Sequence, residues 1–255
     1  MDSLEGRAGV DVAALTRALV DIDSTTGREA EAGRWLAAYL RDLGFSVAEQ
    51  QVDGARFNVI ATLDRPEVVF STHFDCVPPF FPSRVDGQRI YGRGACDAKG
   101  IVAAQVAAVD RLRREGELRA GLLFVVGEER GSDGARAANT AARACRFLVD
   151  GEPTDNRLGL ATRGALRVKF RAFGRAAHSS FPELGESAID KLLDALTELR
   201  SIELPSDSVL GRTHYTIGLI GGGVAPNVVS PSAEAEVMFR TVGDAADVRR
   251  AACCA

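Results

Sequence analysis

The 255-residue sequence predicts an α/β protein with a mixed, largely parallel sheet, followed by a small α+β domain. Two observations support this fold class. In the first part of the chain, short continuous apolar runs, typical of buried parallel strands, alternate with helical patterns. From about residue 162, apolar and charged residues alternate, which is typical of antiparallel strands with one solvated face. We therefore predict two domains, residues 1–161 and residues 162–255.

Each element follows from its local pattern. Apolar residues at helical spacing predict two initial helices, the second of which ends at Gly44 because glycine favours the position after a helix. The other elements of the first domain are strands near 45–52, 58–63, 68–70, 122–126 and 147–149, and a helix over 99–113. The elements of the second domain are strands near 165–173, 213–220 and 233–241, a helix over 186–200, and a last helix from about 244.

Composition excludes several classes of partner. The net charge is -4 and no long basic run occurs, so we predict no nucleic-acid partner. The acidic start lacks the apolar segment of a signal peptide, and no apolar run approaches the ~18 residues that span a membrane. The five cysteines are scattered and odd in number. We therefore expect free thiols and a reducing, cytoplasmic setting without a membrane partner.

Histidine and acidic residues recur after short apolar runs that we interpret as buried strands. They are His73, Asp75, Asp97, Glu128, Glu129 and Glu152. Ligands of open α/β sheets bind at the carboxyl ends of the strands, so we expect these side chains to converge. One imidazole with several carboxylates suits a hydrolytic metal site.

Two of these segments have alternative interpretations. His73 and Asp75 lie two residues apart, so in an extended chain they share a face, where one can bind metal while the other orients it. Asp97 lies in the glycine-rich loop Gly92–Gly100, where it is either a bridging metal ligand or the N-cap of the following helix. The same loop could cradle a phosphate, although its spacing matches neither common phosphate-binding fingerprint.

Adjacent carboxylates at a strand end are unusual without a cation. In the pair Glu128-Glu129, the two side chains diverge, so one can bind metal while the other acts as a general base. The alternative is a solvated loop. Glu152 is followed by Pro153, which fits either a fixed ligand or a plain turn.

Four segments, HFDCVPP, GRGACDAKG, GEERGSDGA and GEPT, occur in this order. Together they resemble the co-catalytic dinuclear zinc metallopeptidase and deacylase family, which includes acetylornithine deacetylase, succinyl-diaminopimelate desuccinylase, aminoacylase and carboxypeptidase G. The resemblance extends from about residue 10 to 245. It implies that residues 1–161 are the first portion of a metallopeptidase-type catalytic domain, and that residues 162–255 are part of a lid or dimerisation domain.

The resemblance also implies a ligand set for two divalent ions, zinc first, with cobalt or manganese as alternatives. His73 would bind one ion, Asp97 would bridge both, Glu152 would complete the first ion, and Glu129 would bind the second. Asp75 would orient His73.

The remaining roles are implied in the same way. Glu128 would be the general base and acid. In the lid, His178 would reach the active site of a partner subunit in a homodimer and help to stabilise the oxyanion. Asn227 and Arg240 would contact the substrate, with Arg240 pairing with its carboxylate. His214 is interpreted as a structural residue on a lid strand.

The implied reaction is metal-dependent hydrolysis of the amide bond of small N-acyl amino acids or dipeptides. The family's catalytic domain continues after the lid and supplies one more metal-binding histidine, whereas no histidine follows His214 here. A fragment, a truncated product and a working minimal form are the three explanations, and we expect the first. The alternative functions are a non-catalytic remnant that binds metal weakly and dimerises through the lid, and a phosphate-binding module.

Overall fold

The computed structural model describes residues 9–140 and 145–253, so the start of the chain, Cys254 and Ala255 lie outside the described residues. The chain divides into two compact units, Met1–Arg157 and Leu158–Ala255. Among the described residues, no helix combines the length and apolar character needed to span a membrane.

The described residues of the first unit form four α-helices and seven strands. The helices are α1 (Val12–Val20), α2 (Ala30–Asp42), α3 (Lys99–Arg114) and α4 (Asp133–Thr140). The strands are β1 (Ser46–Asp53), β2 (Arg56–Thr62), β3 (Val68–His73), β4 (Arg84–Asp86), β5 (Arg89–Tyr91), β6 (Ala120–Val125) and β7 (Phe147–Asp150). Strands β4 and β5 form a separate hairpin.

The other five strands form one sheet in the order β1-β2-β6-β3-β7. The β1-β2 and β2-β6 pairs are antiparallel, and β3 runs parallel to both β6 and β7. The sheet is therefore mixed and partly parallel. Because β3, β6 and β7 point the same way, their carboxyl ends lie at one edge, where the loops with the acidic residues begin.

The core of the first unit forms where apolar helix faces meet the sheet. Leu19 of α1, Leu36 and Leu40 of α2, Val106 of α3 and Phe124 of β6 are all completely buried. Helix α2 ends as predicted. Gly44 has a φ of +93°, and the amide of Phe45 donates to the carbonyl of Leu40 at 3.1 Å, which closes the last turn.

Strand β7 differs from its prediction as a buried strand. It is parallel to β3, but it lies at the sheet edge, and Phe147, Leu148 and Val149 are 51%, 59% and 45% exposed. Leu148 also lines an apolar groove with Val69 and Leu123. An apolar run alone does not distinguish a central strand from an edge strand, because strands at both positions can be apolar and pair in the same sheet.

The second unit contains a three-stranded antiparallel sheet and two main helices. Its elements are β8 (Gly164–Phe173), α5 (Ala188–Leu199), β9 (Ser206–Asp207), β10 (Gly211–Arg212), β11 (His214–Gly222), β12 (Ser232–Thr241) and α6 (Ala245–Cys253). The sheet order is β11-β12-β8. On β12, Val237 and Phe239 are buried while Glu234 and Arg240 are exposed, so the predicted solvated sheet face is confirmed.

Candidate metal site

Three side chains that can bind metal converge at the carboxyl edge of the first unit's sheet. They are His73 at the end of β3, Asp97 just before α3 and Glu152 just after β7. One ligand atom from each lies within 4.8 Å of the others, and His73 Nε2 is 3.0 Å from Asp97 Oδ1. Among residues 9–140 and 145–253, no other group of three or more such side chains lies this close.

Backbone contacts fix the strand ends that carry the cluster. The amide of Gly151 donates to the carbonyl of Ser71 at 2.8 Å, and Thr72 Oγ1 donates to the carbonyl of Gly151 at 2.7 Å. These bonds hold Glu152 beside the end of β3. The N-cap of α3 is Ala98, so the alternative of Asp97 as N-cap is wrong. Asp97 follows a loop and not a sheet strand, and its carboxylate faces His73.

Asp75 is the hub of the site. It is completely buried, and its carboxylate accepts hydrogen bonds from Thr26 Oγ1 at 2.8 Å and from the amides of Glu128 and Glu129 at 3.0 and 3.3 Å. Its Oδ1 also lies 3.3 Å from His73 Nδ1. Burial alone would raise the pKa of Asp75, but the contacts with His73 and Thr26 outweigh it and lower the pKa below its usual value. The residue is therefore ionised and fixes three chain segments.

The neighbouring carboxylates control the charge of His73. Burial lowers the pKa of this imidazole, but the hydrogen bond and charge of Asp75, together with the charges of Glu152 and Asp97, raise it to about 9. His73 Nδ1 lies 3.1 Å from the backbone carbonyl oxygen of Asp75 and 3.3 Å from its carboxylate, so Nε2 is directed at Asp97. This is the orientation in which a carboxylate behind a histidine prepares its other nitrogen for a metal.

The acidic side chains repel one another. Desolvation, and then the charges of Asp97 and other carboxylates, raise the pKa of Glu152 to about 7, while His73 opposes the rise. The Glu152 side chain is exposed at the molecular surface. The pKa of Glu129 is raised by the same two causes. Crowded carboxylates around one imidazole are the donor set that a divalent cation stabilises, so these residues fit a metal.

Glu128 and Glu129 begin a short 3₁₀ turn, Glu128–Arg130, between Gly127 at φ +70° and Gly131 at φ +112°. Their amides are tied to the buried Asp75, so the alternative of a freely solvated loop is wrong for the backbone. Glu128 is exposed and Glu129 is half-buried, which agrees with the predicted divergence of the two side chains. Glu129 lies outside the three-residue cluster.

Sequence reasoning missed two supporting residues, Thr26 and Asn58. Asn58 is completely buried, and its side chain accepts from the amide of Val126 at 3.1 Å and donates to the carbonyl of Gly134 at 2.8 Å. It therefore holds both ends of the loop that carries Glu128. A polar residue between the apolar Phe57 and Val59, as at Asn58 in β2, was the available signal.

The three predicted lid residues lie in the second unit, and the other six lie in the first. His178 is exposed, and its Nδ1 accepts from the amide of Ser180 at 3.1 Å. The amide of Ser179 donates to the carbonyl of Asn227 at 3.0 Å. The segments that carry His178 and Asn227 are therefore adjacent.

Arg240 lies elsewhere in the same unit. It is exposed near the end of β12, opposite His214 of β11, whereas Asn227 precedes the beginning of β12 at Ser232. Eight residues of strand separate Ser232 from Arg240, which corresponds to ~26 Å. Arg240 and the pair of His178 and Asn227 thus stand near opposite ends of the strand.

The profile of peptidase family M20/M25/M40 matches residues 69–240. The chain belongs to this family. The resemblance carried by the four sequence motifs is thereby confirmed. A peptidase M20 domain-containing protein of Schizosaccharomyces pombe is 39% identical over 252 residues, which cover 95% of this chain and 63% of the relative. A probable carboxypeptidase of Aspergillus clavatus is 40% identical over 265 residues, which cover 92% of this chain and 59% of that protein.

This M20 chain thus spans about 60% of the length of these two relatives. Its fold is similar to that of an M20 family metallo-carboxypeptidase from Sulfolobus solfataricus, with a TM-score of 0.76 at 17% identity, covering 96% of this chain and 74% of the other. It is also similar to a dinuclear metal-binding M20 peptidase of Bacillus subtilis, with a TM-score of 0.63 at 15% identity, covering 94% and 68%. At these identities the similarity shows the fold alone.

Proposed function

We propose that the chain contributes to a metal-dependent hydrolase that cleaves the amide bond of small N-acyl amino acids or dipeptides. The observation that carries this proposal is the convergence of His73, Asp97 and Glu152 at one sheet edge, beside the Glu128-Glu129 turn. Membership of a peptidase family supports the reaction class. The position of the cluster at the ends of parallel strands fits the general location of ligand sites in such sheets.

We assign the ligands from the geometry and the family. His73 and Glu152 would hold one divalent ion, and Asp97 would bridge to a second ion. Glu129 lies outside this cluster, and its assignment to the second ion rests on the family alone. Zinc suits this set, with cobalt or manganese as alternatives, because sites rich in carboxylates are not strongly selective. When bound, such ions polarise a substrate carbonyl and increase the acidity of water.

The remaining residues of the first unit would orient groups and move protons. Asp75 would hold His73 with Nε2 directed at the ligand cluster. Glu128 is exposed, and its backbone is fixed by Asp75, so its carboxylate is free to act as a general base. It would take a proton from the attacking water and return it to the leaving amine.

We propose that His178, Asn227 and Arg240 bind the substrate from the lid and that the protein is a homodimer. The separation along β12 supports this arrangement, because Arg240 lies near one end of the strand and the His178 and Asn227 loops lie near the other. Arg240 would pair with the substrate carboxylate, and His178 would serve the site of the partner subunit. We further propose a cytoplasmic location, from the scattered free cysteines.

Glu128→Gln and Glu129→Gln form a matched pair that tests this function. In a full-length version of the protein, loaded with Co²⁺ and assayed with N-acetyl amino acids and dipeptides, we expect Glu128→Gln to abolish turnover and keep both ions. We expect Glu129→Gln to lose one ion. Undiminished turnover by Glu128→Gln would contradict its role.

The unaltered chain provides the second comparison. Hydrolysis that a chelator removes would exclude the alternative of a non-catalytic remnant. Metal binding without hydrolysis of any of these substrates would favour the non-catalytic remnant. We consider this alternative because the sequence has only three histidines, of which one lies in the cluster.

A further inference from the structure

A half-buried arginine, Arg56, lies beside the Glu128-Glu129 turn. Arg56 of β2 forms a bidentate pair with Glu29, with Nε 3.0 Å from Oε2 and Nη2 3.0 Å from Oε1. The Glu29 side chain is fully buried and that of Arg56 is 13% exposed. A third bond joins Arg56 Nη1 to Asp133 Oδ2 at 3.3 Å. We call these three residues the Arg56 clamp.

One arm of the clamp holds the loop between α1 and α2. Besides pairing with Arg56, Glu29 Oε2 accepts from the amide of Gly27 at 2.8 Å. The preceding residue, Thr26, donates its hydroxyl hydrogen bond to Asp75. The contacts of Glu29 therefore hold in place the segment from which the Thr26 hydroxyl donates to Asp75.

The other arm holds the loop that carries the proposed base. Asp133 begins α4, directly after the turn with Glu128 and Glu129. At the other end of this loop, a Cβ added to Gly127 would lie 2.4 Å from Arg56 Nη2, so the guanidinium packs directly against the loop backbone. Arg56 thus contacts both segments whose hydrogen bonds converge on Asp75.

We propose that Arg56 is a positioning residue that holds the Thr26 loop and the Glu128-Glu129 loop on Asp75, and thereby sets the affinity of the site for divalent ions. A guanidinium is suited to this task because its planar fork binds both oxygens of Glu29 while a third nitrogen bonds Asp133. A lysine would retain the charge but could not reproduce this geometry. The link to metal binding rests on the proposed function.

A second buried ion pair provides the control. Arg113 is 11% exposed and pairs with Asp110, which is 3% exposed, at 2.7 Å on α3. Its burial is similar to that of the Arg56–Glu29 pair, in which the side chains are 13% and 0% exposed. Arg113 lies fourteen residues after the start of α3, which places it ~21 Å along the helix from the site end.

The test compares Arg56→Lys and Asp133→Asn with Arg113→Lys in the full chain. Hydrogen exchange of the Glu128 and Glu129 amides is measured with chelator present, and Co²⁺ affinity is measured by competition titration. We expect Arg56→Lys to accelerate exchange at both amides and to weaken Co²⁺ binding about 10- to 100-fold, as loss of an orienting partner does. Asp133→Asn should act in the same direction but less strongly, and Arg113→Lys should change neither quantity.

Unchanged exchange and unchanged Co²⁺ affinity in Arg56→Lys would overturn the proposal, as would equal losses in Arg113→Lys. If Arg56→Lys does not fold, the same two measurements on Asp133→Asn decide the question. The Asp133 side chain is 42% exposed, and removing its charge leaves the Arg56–Glu29 pair intact. Failure of the unaltered chain to bind Co²⁺ would count against the proposed function, and amide exchange alone would then decide the role of Arg56.

Discussion

Replacing Asp75 with asparagine removes the negative charge at the hub while preserving the shape of the side chain. In the unaltered protein, both oxygens accept hydrogen bonds, from Thr26 and from the amides of Glu128 and Glu129. An asparagine offers one oxygen and one NH₂ group, so at least one of these donors loses its acceptor. The charge that holds the proton on His73 disappears as well.

The size of the effect follows from the pKa of His73, which rises from 6.5 to about 9. A difference of roughly two and a half units corresponds to about 3 kcal/mol of stability, and His73 is only 1% exposed, so little is lost to solvent screening. Because the folded-state pKa is raised, this stability is fully present below pH 6.5 and is lost as the pH rises through 9. Asp75 is the main cause that raises the pKa, so Asp75→Asn should remove most of this dependence.

The assay is urea unfolding with chelator present, between pH 6 and pH 9.5. Trp35 is the only tryptophan and lies on α2, so its fluorescence reports on the first unit alone. We expect the unaltered protein to lose about 3 kcal/mol more than Asp75→Asn between pH 6.5 and 9. Parallel pH profiles for the two proteins would refute the reasoning, because Asp75 would then not control the charge of His73.

Three further predictions concern the same unit. The affinity for Co²⁺, measured by calorimetric titration, should increase between pH 7 and 9. Both Glu152, with a pKa of about 7, and His73, with a pKa of about 9, must lose a proton to bind metal. An affinity that does not change with pH would contradict these protonation states. Glu152→Gln should weaken Co²⁺ binding by at least about tenfold in the same titration. It should also raise the urea midpoint of the metal-free protein at pH 8, because it removes one of the repelling charges. A lower midpoint would show that this repulsion does not destabilise the metal-free protein. Gly134→Ala should lower the free energy of unfolding in urea by roughly 1–3 kcal/mol, because its Cβ would lie 2.5 Å from the carbonyl oxygen of Val126. Unchanged stability would mean that the loop has room to shift.

The sequence predicted those features of the fold that depend on local patterns. Helix α2 ends at Asp42, and Gly44 after it adopts a positive φ that glycine tolerates easily. Strand β6 is an apolar run that is buried where predicted. His73 and Glu152 could be expected to meet, because they follow the parallel strands β3 and β7, whose carboxyl ends lie at one edge. Asp97 follows a loop, so this argument does not extend to it.

Features that depend on distant partners could not be predicted. Glu29 and Arg56 are separated by 27 residues, and nothing in their local sequences indicates that the two side chains pair. Helix α4 has only Gly134 fully buried, so its sequence lacks the apolar stripe that identifies a helix. The order of strands in the sheet likewise depends on which apolar faces meet and not on any single segment.

The exposed edge strand β7 has a consequence for the behaviour of the chain in solution. Within residues 9–140 and 145–253, the outer edge of β7 has no pairing strand, and Phe147, Leu148 and Val149 are exposed on it. Such an edge is a template for extended segments of other molecules. Its short length and the flanking charges of Arg146 and Asp150 limit how far such pairing can extend. Self-association of the isolated chain should therefore begin at β7, and a lysine in place of Leu148 is the substitution best placed to keep the protein monodisperse at high concentration.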